Sequence, residues 1–79
     1  MVFGKRLRAQ RMKHHLTQQQ IADMLDLSLN AYQKYEQSER APSLETLIKI
    51  ADILNVPIDF LLGRDDFLKS LGVSVDVYQ

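Results

Sequence analysis

Apolar residues recur every three or four positions along most of this chain, which is the spacing of helices that bury one face. The pattern predicts five short helices, at about residues 2–14, 18–25, 29–37, 44–54 and 57–62. Only the last part of the chain alternates apolar and polar residues as a strand does. The sequence therefore predicts an all-α fold with one core.

The second and third helices have clear start signals. Thr17 is a good helix N-cap, and Gln20 completes a Thr-x-x-Gln capping box. Ser28 can cap the next helix in the same way. Because only Asp26 and Leu27 separate the first apolar set from this second cap, the two helices must meet at a tight turn.

The fourth helix carries the broadest apolar stripe. Ser43 can cap it, and Asn55 can supply the left-handed residue that ends it. Pro57 then suits the first position of the fifth helix, which Gly63 closes. The stripe that we expect to face inward consists of Leu44, Leu47, Ile48, Ala51 and Leu54.

Residues 64–79 follow a different pattern. Residues 65–71 can form one or two helical turns that end at Gly72, whereas residues 73–77 alternate valine with polar side chains as in a strand. A lone strand is unstable in water, so a strand here needs the same segment of a second copy as its partner. The alternative is a frayed terminus.

Composition indicates one small globular domain, since the chain has 79 residues, of which 46% are hydrophobic and 25% charged. The absence of cysteine excludes disulfides, thiolate catalysis and cysteine-ligated zinc. No apolar run approaches the roughly 20 residues that cross a bilayer, and no signal peptide is evident. We therefore expect a soluble, unprocessed, cytoplasmic protein.

Charge is segregated along the chain. The formal net charge is zero, yet the first fifteen residues contain no acid and five basic residues, Lys5, Arg6, Arg8, Arg11 and Lys13. A local basic face can bind phosphate groups whatever the total charge. The alternative is a basic helix face that meets only solvent.

Catalytic and metal-binding patterns are missing from the sequence. His14 and His15 are neighbours, but adjacent histidines rarely bind one ion and no third ligand is evident. His15 instead occupies the position where a left-handed residue ends the first helix. Without a nucleophile–base pair or a phosphate-cradling glycine loop, we expect no enzyme, no metal and no cofactor.

Two short helices at a tight turn are what a DNA-binding helix-turn-helix requires. The first helix crosses the DNA backbone, and the second presents side chains to base edges in the major groove. In this chain the second helix of the pair is the third predicted helix, and its outer side carries Leu29, Asn30, Gln33 and Lys34. Asn and Gln can pair with adenine, Lys with guanine and Leu with the thymine methyl group. The alternative for these residues is ordinary solvated helix surface.

The motifs RLRAQR, LTQQQIA, YQKYEQSERAPSLETLIKIADIL and VPIDFLLG follow one another along these helices. With them, residues 3–63 resemble the lambda-repressor and Cro type of helix-turn-helix domain, also called the Xre family of bacterial and phage regulators. The resemblance implies a compact five-helix DNA-binding domain at residues 1–63. It also implies a homodimer that binds a double-stranded DNA operator and represses transcription, in a bacterial cell or a phage-infected bacterium.

The resemblance carries roles over to individual residues. It implies base readout by Leu29, Asn30, Gln33 and Lys34. It implies phosphate contacts by Thr17, Gln18, Gln37, Arg40 and Ser43, with Gln18 also bracing the recognition helix. Arg11 and Glu36 should pair between the first and third helices, although Arg11 has the alternative role of a phosphate ligand. Three positions where the family favours glycine hold His15, Asp26 and Ser38, which we expect to be accommodated.

A dimer needs a surface beyond the five-helix core. We predict that this surface contains Ile58, Leu61, Phe67, Leu68, Val73, Val75 and Val77, so that residues 64–79 form a C-terminal extension for dimerisation. The rival hypothesis is a protein-interaction module, such as an antitoxin or an anti-repressor partner, which zero net charge and an apolar tail would suit. We expect no membrane partner and no small-molecule ligand.

Overall fold

A computed structural model of the chain describes residues 2–79. It contains α1 (Phe3–Lys13), α2 (Gln18–Met24), α3 (Leu29–Glu36), α4 (Leu44–Leu54), α5 (Ile58–Leu61), α6 (Asp65–Ser70) and a final 3₁₀ helix (Val75–Tyr78). Residues 2–79 contain no strand, and the predicted all-α class and its five helices are confirmed. None of the helices over this range has the length and apolar character needed to cross a membrane.

Side-chain caps begin the central helices. The hydroxyl of Thr17 accepts a hydrogen bond from the backbone N–H of Gln20 at 3.0 Å, and the Gln20 side chain accepts one from the Thr17 N–H at 2.8 Å. Ser28 and Ser43 accept the corresponding N–H bonds in α3 and α4 at 3.1 and 3.2 Å. Pro57 precedes α5 as its N-cap rather than forming its first residue, because its ψ of 144° is extended.

All six α-helices end in the same type of turn. A residue with positive φ follows the last helical turn. Its N–H group and that of the next residue donate hydrogen bonds to backbone carbonyls in that last turn. These residues are His15, Asp26, Ser38, Asn55, Gly63 and Gly72, with φ between 54° and 78°. After α3, the N–H of Ser38 donates to Tyr35 and that of Glu39 donates to Lys34, at 3.1 and 2.9 Å. The non-glycine residues are therefore accommodated by satisfied backbone hydrogen bonds.

The core lies where the first five helices meet. Leu7, Ile21, Tyr32 and Ile50 come from four different helices and have no exposed surface. Their burial removes the apolar face of each helix from water, which is the main force that holds the helices together.

The buried face of α4 differs from the predicted one. Leu44 and Ile48, which we expected to face inward, are 80% and 52% exposed. The buried row instead consists of Leu47, Ile50, Ala51 and Leu54. Ile50 lies one turn before Leu54, so including it rotates the inward face away from Leu44 and Ile48.

The C-terminal segment packs against α1 and α5. The guanidinium group of Arg6 donates to both carboxylate oxygens of Asp65, at 2.7 and 2.9 Å, and to the backbone oxygen of Phe60 at 2.7 Å. It also lies 4.5 Å from the centre of the Phe60 ring. These hydrogen bonds from Arg6 hold the pKa of Asp65 below its ordinary value. The start of α6 is thereby tied to α1.

The 3₁₀ helix makes a second attachment to the same helix. The ring of Tyr78 packs against that of Phe60, with the two ring centres 5.2 Å apart. The backbone oxygen of Tyr78 accepts hydrogen bonds from the buried side chain of Gln10 and, at 3.3 Å, from Lys13. The tail is therefore neither frayed nor a strand, and of the predicted alternatives the helical one is confirmed for α6.

Packing of the tail corrects part of the predicted dimer surface. Leu61 and Leu68 are only 0% and 3% exposed, because they complete the core of a single chain. Ile58 and two of the three valines, Val73 and Val75, are half-buried against that core. Of the predicted surface, only Phe67 and Val77 are exposed, by 40% and 67%.

Replacing the buried leucine of α6 tests whether the tail belongs to the folded unit. Leu68→Ala should lower the free energy of unfolding by about 2–5 kcal/mol, because it leaves a cavity in the core. Leu71→Ala, at a position that is 63% exposed, should change it by less than about 0.5 kcal/mol. Urea unfolding followed by circular dichroism measures both, and equal effects would contradict the packing of α6 on the core.

Candidate nucleic-acid interface

The α2–turn–α3 unit has the arrangement of a helix-turn-helix. α3 packs against both α1 and α2. Its inner face contains Tyr32 and Tyr35, which are 0% and 7% exposed and meet edge to face with their ring centres 6.5 Å apart. The four predicted base-reading residues lie outside this core: Asn30 is exposed, and Leu29, Gln33 and Lys34 are half-buried.

The carboxylate of Glu36 fixes α3 against its neighbours. Its side chain is only 4% exposed, and each oxygen accepts hydrogen bonds. Arg11 Nε donates to Oε2 at 2.6 Å, the hydroxyl of Tyr32 donates to the same oxygen at 2.5 Å, and Gln18 Nε2 donates to Oε1 at 3.1 Å. One buried group thus receives donors from α1, α2 and α3.

Arg11 is largely buried and is committed to contacts within the chain. Its side chain is 11% exposed, and a second nitrogen donates to the backbone oxygen of Leu16 at 2.8 Å. The ion pair with Glu36 that the resemblance implies is therefore present, and the alternative role of Arg11 as a phosphate ligand is not the one its contacts favour.

Titration behaviour follows from the same network. Burial by itself would raise the pKa of Glu36, but hydrogen bonds from Arg11, Tyr32 and Gln18 together hold it below its ordinary value. Burial, with the adjacent carboxylate, raises the pKa of the Tyr32 hydroxyl above its ordinary value. Glu36 is therefore ionised and Tyr32 is a neutral donor at neutral pH.

The buried charge also orients two amide side chains. An ionised carboxylate only accepts hydrogen bonds, so Gln18 must turn its NH₂ group toward Glu36 and its oxygen away. Gln33 Nε2 donates to that oxygen at 3.1 Å. This leaves Gln33 with one N–H and its carbonyl oxygen, the pair of groups that adenine recognition needs.

The predicted phosphate contacts surround this unit. Thr17 is exposed before α2, and Gln18 is half-buried in its first turn. Gln37, Arg40 and Ser43 are exposed in the segment between α3 and α4. Among residues 2–79, no acidic side chain forms an ion pair with Arg40.

Two contributors were not predicted from the sequence. The hydroxyl of Tyr32 donates a hydrogen bond to Glu36, although the tyrosine ring was expected only to fill the core. Gly4 lets α1 approach the end of α3, because a Cβ there would overlap the backbone oxygen of Glu36 and the hydroxyl of Ser38. The spacing of Tyr32 and Glu36, one helical turn apart, is the signal that could have revealed the first.

The family model and the similar proteins indicate the same family. The model of the helix-turn-helix family matches residues 7–61. The chain is 47% identical over 64 residues to the cryptic phage CTXphi transcriptional repressor RstR of Vibrio cholerae, covering 81% of this chain and 57% of RstR. It is 39% identical over 69 residues to the HTH-type transcriptional regulator ImmR of Bacillus subtilis, covering 87% of this chain and 54% of ImmR.

The chain therefore spans little more than half the length of these two relatives. Both are named as transcriptional regulators, and the family confirms the prediction that the chain is not an enzyme. No solved structure gives a significant match.

Neutralising Glu36 tests its role as the group that fixes α3. Glu36→Gln should lower the free energy of unfolding by about 3–5 kcal/mol, because the buried Arg11 loses its counter-charge. Glu39→Gln makes the same charge change at an exposed turn residue and should shift stability by less than about 0.5 kcal/mol. Chemical unfolding at neutral pH compares the two, and similar losses would contradict this role.

Unfolding at acid pH provides a second measurement, which compares the wild-type chain with Glu36→Gln. The pKa of Glu36 is lowered in the folded state. The contribution of Glu36 to the free energy of unfolding is therefore complete above its ordinary pKa of 4.5 and is lost as the pH falls below that value. The stability difference between the wild-type chain and Glu36→Gln should therefore stay constant at neutral pH and narrow below about pH 4.5. A constant difference down to acid pH would contradict the assignment.

Proposed function

Since the chain belongs to the helix-turn-helix family of lambda-repressor type, we propose that it is a sequence-specific regulator of transcription that binds double-stranded DNA. In this proposal α2 crosses the DNA backbone and α3 enters the major groove. The observation that carries it is the Glu36 network, which fixes α3 to α1 and α2 from its inner side. This support leaves the outer side of α3 at the surface, where a ligand can reach it.

The chemistry of those side chains suits base edges. Asn30 is exposed, and its amide can bond adenine through an acceptor and a donor at once. Gln33 retains the same two groups after its bond to Gln18. Lys34 can donate to guanine, and Leu29 can contact a thymine methyl group.

Backbone contacts would set the register of the protein on DNA. We assign these to Thr17, Gln18, Gln37, Arg40 and Ser43. Contacts of this kind fix position and orientation but carry no base information. Occupancy of a promoter by such a complex would repress transcription, and the 47% identity to a relative named as a repressor supports that sign of regulation. The site of action would be the cytoplasm of a bacterial or phage-infected cell.

Selection of bound sites from random DNA duplexes tests base readout. Asn30→Ala and Lys34→Ala should each relax the preference at particular base pairs and cost about 1–3 kcal/mol on the best site. Arg40→Ala should weaken binding to all sequences alike, because it removes only a phosphate contact. If neither substitution in α3 alters base preference, the assignment of α3 as the recognition helix is wrong. Binding of a protein but of no duplex would favour the interaction-module hypothesis.

We further propose that the chain binds DNA as a homodimer on a pseudo-palindromic site. Two copies of α3 would then enter successive major-groove faces about 34 Å apart. A second copy is required because one small domain makes too few phosphate contacts for tight binding. Exposed apolar side chains that such an interface could use include Leu44, Ile48, Phe67, Leu71 and Val77.

Sedimentation of the full chain measures the oligomeric state with and without a selected duplex. We expect two chains on each full site and one on an isolated half-site. The full site should bind more tightly and lose affinity more steeply with salt, because it brings twice as many phosphate contacts. A single chain on the full site at micromolar protein would contradict the dimer while leaving DNA binding intact.

A further inference from the structure

The basic residues of α1 have different partners. Arg6 is paired with Asp65 on the tail, and Arg11 is paired with buried Glu36. Lys13 donates to the backbone oxygen of Tyr78. Within residues 2–79, Lys5 and Arg8 are exposed and form no ion pair. Lys13 is also exposed and unpaired with an acid, but it is hydrogen-bonded to the tail, so Lys5 and Arg8 are the two cations of this run whose side chains make neither an ion pair nor a hydrogen bond within residues 2–79.

These two cations lie on different surfaces. Arg8 lines an open groove together with Thr17, Gln18 and Gln37, which belong to the proposed phosphate-binding set. Lys5 instead lines the cleft beside Phe60 and Gln79, where the tail meets α1 and α5. Position on the fold thus separates Arg8 from Lys5, although both are basic residues of one helix.

Arg8 supplies the uncompensated charge of its groove. The other ionised side chains on the walls are Arg11 and Glu36, whose charges cancel in their 2.6 Å ion pair. His15 is the remaining titratable residue there, and no further acid lines the groove. An anion in this groove would therefore meet a net positive charge from Arg8, with polar side chains from α2 and from the segment after α3 around it.

We propose that Arg8 is a phosphate-binding residue, which holds the DNA backbone beside Gln18 and Gln37. The inference rests on the proposed DNA-binding function and adds α1 to the interface. Arginine suits this role because its planar guanidinium group can donate two parallel hydrogen bonds to one phosphate. The ligand is a backbone phosphate of a duplex, so the contact contributes affinity and salt dependence but no base preference.

The test is binding of the full chain to a selected duplex over a series of salt concentrations. Arg8→Ala should weaken binding to all sequences and reduce the slope of log affinity against log salt by about 0.9 for each chain bound. Arg8→Lys should restore the slope because it restores the charge. Lys5→Ala, the matched loss of one charge on the same helix, should leave affinity and slope unchanged.

Several results would overturn the assignment. Wild-type affinity and slope for Arg8→Ala would do so, as would an equal loss for Lys5→Ala, which would indicate only a general effect of charge. A change in base preference would show that Arg8 contacts bases instead. Thermal unfolding checks that each variant is folded, and Arg8→Gln replaces the alanine variant if that one is not. Failure of the wild-type chain to bind any selected duplex would reject the proposed function itself.

Discussion

Burial of one carboxylate, that of Glu36, constrains the whole DNA-binding unit. A charge removed from water must be paired and hydrogen-bonded, or it strongly destabilises the fold. Its donors come from Arg11 on α1, Gln18 on α2 and Tyr32 on α3, so satisfying it requires all three helices in one arrangement. Apolar packing is not directional and would tolerate several arrangements. The hydrogen bonds select one of them.

The Glu36 carboxylate also affects the surface that we propose as the DNA interface, through a chain of two hydrogen bonds. It sets the orientation of the Gln18 amide, and Gln18 in turn orients Gln33 on the outer side of α3. In the proposed interface, stability and recognition are therefore coupled through Gln18 and Gln33. α1 connects this unit to the rest of the chain. Its Arg11 pairs with Glu36, and its Arg6 and Gln10 bind the C-terminal tail.

Local features were the most predictable from sequence. Caps such as Thr17, and left-handed ends such as Asn55, depend on residues a few positions apart, and the structure contains them as expected. The inward face of α4 was predicted less well, because periodicity gives the spacing of apolar residues but not which edge of the stripe the core covers. The role of Arg6 was missed since its partner, Asp65, lies 59 residues away and no local pattern links them. For the candidate site, chemistry and family resemblance indicated the outer residues of α3. The hydrogen bond from Tyr32 to Glu36 was missed, because the tyrosine ring was assigned to the core and its spacing from Glu36 was not used.

Charge pairing within the fold changes what the basic N-terminal run means. Five cations suggest a strong polyanion-binding surface, but two of them are paired with Asp65 and Glu36 inside the chain. In the proposed complex the positive charge near DNA then comes from few residues, chiefly Arg8, Lys34 and Arg40. So few cations give one domain little sequence-independent attraction to phosphate. The proposal therefore assigns the affinity to directed contacts by α3 and to their repetition in a second copy, and under it a net charge of zero is compatible with DNA binding.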